Sequence, residues 1–515
     1  MMPEERTAGP QNSGMRSQVT DAGPNATATS PAATHPKRVH YQLTFAVLST
    51  AAFAFSVLQS AVLPALPSLE HSLHASPDAV AWLLTGYLLS AAIATPILGR
   101  VGDMRGKERV LVAVLIVLSI GTLISALATT LPVMLIGRVI QGAGGAVFPL
   151  AFGIIRDEFP RERVVGGIGF LSSILGVGAG LGIVMAGPII VHLNYHWLFW
   201  IPLFFCVVAT VATIFFVPES PVRTPGRINT VGALLMSGWL VAGLLAVSEG
   251  PVIGWGNLKT IGLFALAIIL AALWIRSETN SASPLVDMKM MRIPEVWTTN
   301  LAALLFGFGM YVMFTIVPQF VETSTKYSYG LGASVTQSGL DLLPFAAAML
   351  FIAPLTGRLS AAFGGRRVLL AGCLFSASSY IVLTFWHAHT WQILLAAGLL
   401  GIGIAMGYAA MSNLVVEAVP QSQTGVATGM NTNIRNVGGA VGAGVATSIV
   451  VSTLLPDGTP SAHGYIVAFV VSAVALLIAA VTTLLIPRHP VDPDRHPTII
   501  DADAAMIPAS VAVID

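Results

Sequence analysis

The chain has 515 residues, of which 55% are hydrophobic and only 10% charged, with 25 Lys+Arg against 24 Asp+Glu. A soluble domain carries about 25% charged residues, so this composition excludes a cytosolic enzyme and a disordered chain. A formal net charge of +1 excludes a nucleic-acid binder, which needs a basic surplus, and a polytopic membrane protein remains.

Residues 1–40 are polar and rich in Pro, Ala, Thr and Ser, and are expected as a disordered cytoplasmic tail with no secretory signal. A helix needs about 20 mostly apolar residues to cross a bilayer. Fourteen runs qualify, at roughly 41–64, 79–99, 109–130, 132–155, 164–190, 197–217, 229–248, 258–276, 296–321, 337–360, 367–387, 391–417, 424–453 and 463–487. They are too long and continuous for the alternating strands of a barrel, so the expected class is an all-α integral membrane protein. Residues 488–515 form a second short tail. Cys206 and Cys373 fall inside apolar runs and read as buried small hydrophobes. No metal site and no cofactor are expected.

Charge placement tests the count. With both termini cytoplasmic, 21 of the 25 basic residues fall on the cytoplasmic side, Lys259 and Lys326 lie on the other, and Arg138 and Arg435 sit inside spans. That asymmetry is what the positive-inside rule demands of a multi-pass protein of the cytoplasmic membrane.

The chain also repeats. Gly99, Arg100, Gly106, Arg109, Val110, Leu111 and Ala113, between spans 2 and 3, match Gly357, Arg358, Gly364, Arg367, Val368, Leu369 and Ala371 at a shift of 258 residues. The same shift carries Gly167 to Gly425 and Gly180 to Gly438. Spans 1–6 (41–218) therefore recur as spans 9–14 (295–487), and 219–294 is a linker holding two inserted spans. Parallel repeats of this kind form transporters whose site lies between the halves near the bilayer midplane.

Two intramembrane groups stand out on physical grounds. A charge at a helix centre costs about 2.5–3.5 kcal/mol on insertion scales, so Arg138 must face protein or a watery cavity. Gln141 and Gly142 share its face at i+3 and i+4. Arg138 and Gln141 contact substrate and couple its movement, or they form a buried pair tying span 4 to its neighbours. Span 13 holds Asn431, Asn433, Arg435 and Asn436, which form a polar wall of an aqueous path or polar glue between helices.

Several strings carry a specific resemblance. The 2–3 loop from Gly99 through Asp103 and Gly106 to Arg109 resembles the signature G-x-L-x-D-x-x-G-R-K-R. Leu135-Ile136-Gly137-Arg138-Val139-Ile140-Gln141-Gly142 resembles L-x-x-R-x-x-Q-G. Span 6 ends in Val217-Pro218-Glu219-Ser220, and the inserted pair carries Ser248-Glu249-Gly250-Pro251, Gly254-Trp255-Gly256 and Pro284-Leu285-Val286-Asp287, similar to strings around the extra helices of fourteen-span members. Over about residues 41–487 the chain resembles the major facilitator superfamily, in its fourteen-span drug:proton antiporter branch. The resemblance implies the major facilitator fold, two six-helix bundles plus two inserted transmembrane helices. It also implies a monomeric exporter of a small amphipathic organic compound, working by alternating access with protons as coupling ion.

It implies site residues too. Gly99, Asp103, Gly106, Lys107 and Arg109, with the repeat residues Gly357, Arg358 and Arg367, form a conformational latch in which Asp103 meets the N-terminus of span 13. The simpler alternative is a basic loop that only sets topology. Spans 1, 4, 9 and 12 line the cavity and offer Gln59, Asn300, Tyr311, Gln319 and Asn413. The chain departs from the branch at span 1, where Leu58 and Leu63 stand in place of the usual Asp and Asn, and in span 5, where Gly182-Ile183-Val184-Met185-Ala186-Gly187 lacks the proline of the signature G-P-x-x-G-G. Asp341 is then the first candidate proton carrier and Glu417 the second, since a desolvated carboxyl titrates closer to neutrality. An uncoupled facilitator or uptake porter is the alternative within transport; a membrane sensor that kept the fold is the alternative outside it.

Overall fold

The computed structural model describes residues 41–220, 227–327 and 329–487. The tails expected at 1–40 and 488–515 lie outside these residues. Among the described residues 13 helices are long and apolar enough to cross a membrane, and a shorter apolar stretch at Thr336–Ile352 supplies the remaining crossing.

The first six crossings are span 1 (Tyr41–Ser60), span 2 (Pro77–Arg105), span 3 (Lys107–Leu127), span 4 (Leu131–Glu158), span 5 (Arg161–His192) and span 6 (Trp197–Phe216). The inserted pair is span 7 (Thr230–Ile253) and span 8 (Leu258–Asn280). The second six are span 9 (Pro294–Glu322), span 10 (Val335–Asp341 continuing as Leu343–Phe363), span 11 (Gly365–Phe385), span 12 (Thr390–Ala418), span 13 (Thr424–Val451) and span 14 (Ala462–Thr483).

The local causes are legible. Small polar side chains start several helices by accepting a backbone N–H: Ser76 for span 2, Asn229 for span 7, Asn257 for span 8, Ser334 for span 10 and Ser461 for span 14. Span 2 passes into span 3 through one residue, Gly106 at φ 108°, and span 10 into span 11 through Gly364 at φ 82°. Only glycine adopts such angles without strain, which is why this turn recurs at the repeat distance. Span 4 narrows to a 3₁₀ stretch over Gly142–Ala146, where a Cβ on Gly142 would stand 2.5 Å from the Ser90 side chain and one on Gly145 would stand 2.3 Å from Thr95 Oγ1. The glycines let spans 2 and 4 nearly touch.

Spans 1–6 pack around one apolar core containing Leu48, Leu111, Leu118, Leu150 and Phe199. Spans 9–14 pack around another containing Phe306, Phe320, Leu400 and Phe469. Both cores turn large apolar side chains outward as well, among them Phe215 and Phe351, as a lipid-facing surface requires. Span 7 packs against spans 2 and 13, whereas span 8 packs mainly on span 7 and is otherwise exposed.

Candidate substrate cavity and gate

The halves meet tightly at the end of the bundle that carries the 2–3 loop. Asp103, 1% exposed, accepts from the Gly425 N–H (3.3 Å) through Oδ1 and from the Val426 N–H (3.2 Å) through Oδ2. These are unsatisfied donors of the first turn of span 13, where the helix dipole favours a negative charge. The approach needs bare backbone, since a Cβ on Gly99 would lie 2.7 Å from the Gly425 carbonyl oxygen. Lys107 Nζ stands 3.7 Å from Asp103 and donates to Asp157 Oδ2 at 2.6 Å. The Ser220 hydroxyl donates to the same Asp157 oxygen. Asp103 is thereby held within its own half by Lys107 and across the interface by span 13.

Further bonds close the same end. Arg156 donates to Thr424 Oγ1 (2.6 Å) and to the Val419 carbonyl (2.8 Å). Asn413 donates to the Val165 carbonyl (3.3 Å), Ser172 to Ser412 Oγ (3.0 Å) and Asn433 to the Ala92 carbonyl (3.0 Å). Gly357 sits against Gly166, where a Cβ would come within 2.9 Å of its Cα. Arg358 and Arg367 are exposed, and Arg109 makes a surface pair with Glu219 at 3.0 Å. The second half carries Ala361 where the first carries Asp103, so this carboxylate contact has no counterpart in the repeat.

Beyond this closure lies a cavity of about 330 Å³ between the halves. Its lining is mostly apolar, including Phe55, Leu88, Phe148, Ile183, Met310 and Phe314, with Gln59, Tyr87, Tyr311, Tyr408, Arg435 and Asn436 as the main polar groups. Size and composition match a site for a small organic molecule. Gln59 donates to Tyr311 Oη at 3.5 Å, joining span 1 to span 9 across the cavity. The Arg435 guanidinium lies over the Tyr408 ring at 4.1 Å. Leu244, Val247, Ser248 and Pro251 of inserted span 7 complete one wall.

The sequence-selected residues separate into groups. Gln59, Tyr311 and Arg435 line the cavity. Arg138 is fully buried one layer behind it: Nε donates to the Leu83 carbonyl (3.1 Å), Nη1 to Gln141 Oε1 (2.7 Å), and the guanidinium lies 4.4 Å from the Tyr87 ring. Gln141 in turn donates to the Gly121 carbonyl and Ser125 Oγ, tying span 4 to span 3. Asn431 donates to Asn300 Oδ1 (2.9 Å), a buried amide pair between spans 13 and 9. Asn413 bonds across the halves at the tightly packed end, and Gln319 is exposed near the far end of span 9. Asp341 is 2% exposed and accepts from Gln337 Nε2 at 3.0 Å, while its Oδ2 has no partner; Glu417 is exposed. Sequence reading missed Tyr87, Arg156, Asp157, Ser220 and the span 7 wall. Asp157 beside the basic 4–5 loop was one signal; Ser220, Ser248 and Pro251 fall within the strings quoted for the resemblance, which assign them no site role.

Two repeated helical bundles around a central cavity, packed tightly together at one end, are the architecture of a class of membrane transporters built from parallel repeats. Residues 48–330 and 299–513 match the Major Facilitator Superfamily, and the chain belongs to that family. It is 26% identical over 76% of its length to the "Tetracenomycin C resistance and export protein" of Streptomyces glaucescens, covering 73% of that protein. It is 27% identical to the "Lincomycin resistance protein LmrB" of Listeria monocytogenes, over 76% of this chain and 83% of the other. It is also 29% identical to the "Uridine/deoxyuridine transporter" of Lactococcus lactis, over 85% and 93%. The crystal structure of the human organic anion transporter MFSD10 (TETRAN) shares the fold, with a TM-score of 0.60 at 15% identity, covering 87% of this chain and 100% of that one.

Proposed function

We propose that this transporter exports a small amphipathic organic compound across the cytoplasmic membrane, as a monomer with both termini inside, by alternating access driven by protons. The observation that carries the reading is the pairing of a mostly apolar cavity with a gate closed at the basic end by Asp103 on span 13. The positive-inside rule makes that end cytoplasmic, so the described state is closed toward the cytoplasm. Breaking the Asp103 contact would let the halves rock and expose the cavity inward. Resistance and export in the names of two relatives support the direction.

Asp341 is the proposed proton carrier. Its carboxyl is buried, half-satisfied and one helical turn from Ser338, whose hydroxyl donates to Glu322. Leu58 occupies the position where the branch usually carries its acid and is 1% exposed. Uptake is the second reading; the relative named as a uridine/deoxyuridine transporter carries no export in its name. Transport of a panel of amphipathic compounds in proteoliposomes, with and without an imposed pH gradient, tests both. Efflux accelerated by the gradient in the wild type, and insensitive to it in Asp341→Asn, is expected. Equal rates with and without the gradient would refute proton coupling.

A further inference from the structure

We infer that the central cavity is built for an organic anion, an aromatic or amphipathic compound bearing a carboxylate, sulfonate or phenolate, with Arg435 as its counter-ion. The inference rests on the transporter reading above and names the charge class of its substrate.

Among the described residues that line the cavity, Arg435 is the one Lys, Arg, Asp, Glu or His; every other polar lining group is a hydroxyl or an amide. Arg435 is 5% exposed and makes no hydrogen bond or ion pair with a described residue. Its guanidinium stacks on the Tyr408 ring at 4.1 Å. Stacking covers one face of a guanidinium and fixes its plane while the N–H edges stay available for a bidentate acceptor.

A second cation reinforces the first. Arg138 stacks on Tyr87, a cavity-lining residue, and its hydrogen-bond partners are a carbonyl and an amide, with no carboxylate among them. Two uncompensated guanidinium groups, each backed onto a tyrosine of the same low-dielectric cavity, give it a positive potential. The Tyr87 hydroxyl is buried without a partner and supplies a neutral donor. A cationic compound would meet two positive charges and no acid. An organic anion would neutralise Arg435 and bury its apolar body against Phe55, Phe148 and Phe314.

Three probes sharing one ring system test the charge term alone: naphthalene-2-sulfonate, methyl 2-naphthyl sulfone and 2-naphthyltrimethylammonium. Binding to the purified full-length protein is measured by calorimetry. Charge-assisted hydrogen bonds imply that the sulfonate binds about tenfold tighter than the sulfone, with the ammonium weakest. Arg435→Gln should reduce the sulfonate to the affinity of the sulfone while leaving the sulfone within about twofold. Comparable binding of the three probes by the wild type, or binding of none, overturns the inference whether or not the variant folds. A transport arm separates the two readings. Efflux of the sulfone and ammonium without sulfonate preference sinks the anion site and leaves the exporter. Selective sulfonate binding without movement sinks the exporter and leaves the anion site.

Discussion

Replacing Asp103 with asparagine keeps the side chain's shape and removes its charge. The carboxylate accepts from two N–H groups, of Gly425 and Val426, with one oxygen each. An asparagine has one acceptor oxygen, so its NH₂ would face the second donor. Losing a charge-assisted hydrogen bond costs about 1.5–3 kcal/mol, and losing the charge at a helix N-terminus about 0.3–1 kcal/mol more. Only the state closed at the basic end makes these contacts, so Asp103→Asn should shift the closed-to-open ratio by a factor of about 20 to several hundred. Lys107 keeps Asp157 at 2.6 Å, so the first bundle should stay folded. Labels at Glu162 and Gln421, both exposed at that end, read the ratio by double electron–electron resonance. A ratio within about threefold of wild type, in a protein of unchanged thermal midpoint, would refute the latch.

Other expectations follow from the same geometry. Gly99→Ala places a methyl 2.7 Å from the Gly425 oxygen, and overpacking of about 1–3 kcal/mol should hold spans 2 and 13 apart and slow turnover roughly tenfold in a vesicle assay. Arg138→Ala removes the donor to Gln141 Oε1 and to the Leu83 carbonyl and the support under Tyr87. A stability loss of about 1.5–3 kcal/mol is expected, visible as a lower thermal midpoint, and Lys should not rescue the forked contact. At the opposite end the Tyr327 hydroxyl donates to Asp457 at 2.5 Å and holds that carboxyl below its ordinary value of 3.8. A depressed value means the contact stabilises the fold at neutral pH and is lost as pH falls through the folded-state value. Hydrogen exchange of the 453–461 loop should therefore rise only in strong acid, and Tyr327→Phe should abolish that step; a loop indifferent to acid in the wild type would contradict it.

Span positions were legible because bilayer thickness and backbone satisfaction leave a chain few options, and the tight turns because Gly106 and Gly364 recur at the repeat distance. Asp103 was legible because a carboxylate in a basic loop has no topogenic use. Cavity membership was far less so. A polar residue in a span can face a cavity, a neighbouring helix or an exposed surface, and sequence spacing does not choose. Gln59 faces the cavity, Asn300 faces Asn431, and Gln319 is exposed. Tyr87 was hidden for the opposite reason: a tyrosine in an apolar run looks like ordinary packing until Arg138 is found beneath it. Span 7 was read as an insertion outside the two bundles, yet it seals one side of the cavity, with Thr85 and Ser248 Oγ atoms 3.4 Å apart. That contact depends on how the linker folds back, which no local pattern records.

The most direct test of alternating access measures both ends of the molecule in one preparation. Spin labels at Glu162 and Gln421 report the basic end, and labels at Asn194 and Lys326 report the other; all four positions are exposed, while the native Cys206 and Cys373 are buried. Rocking halves predict that the distance at one end lengthens as the other shortens when Asp103→Asn is introduced or the pH gradient is imposed. Transport that continues while both distances stay fixed, or lengthen together, would contradict it.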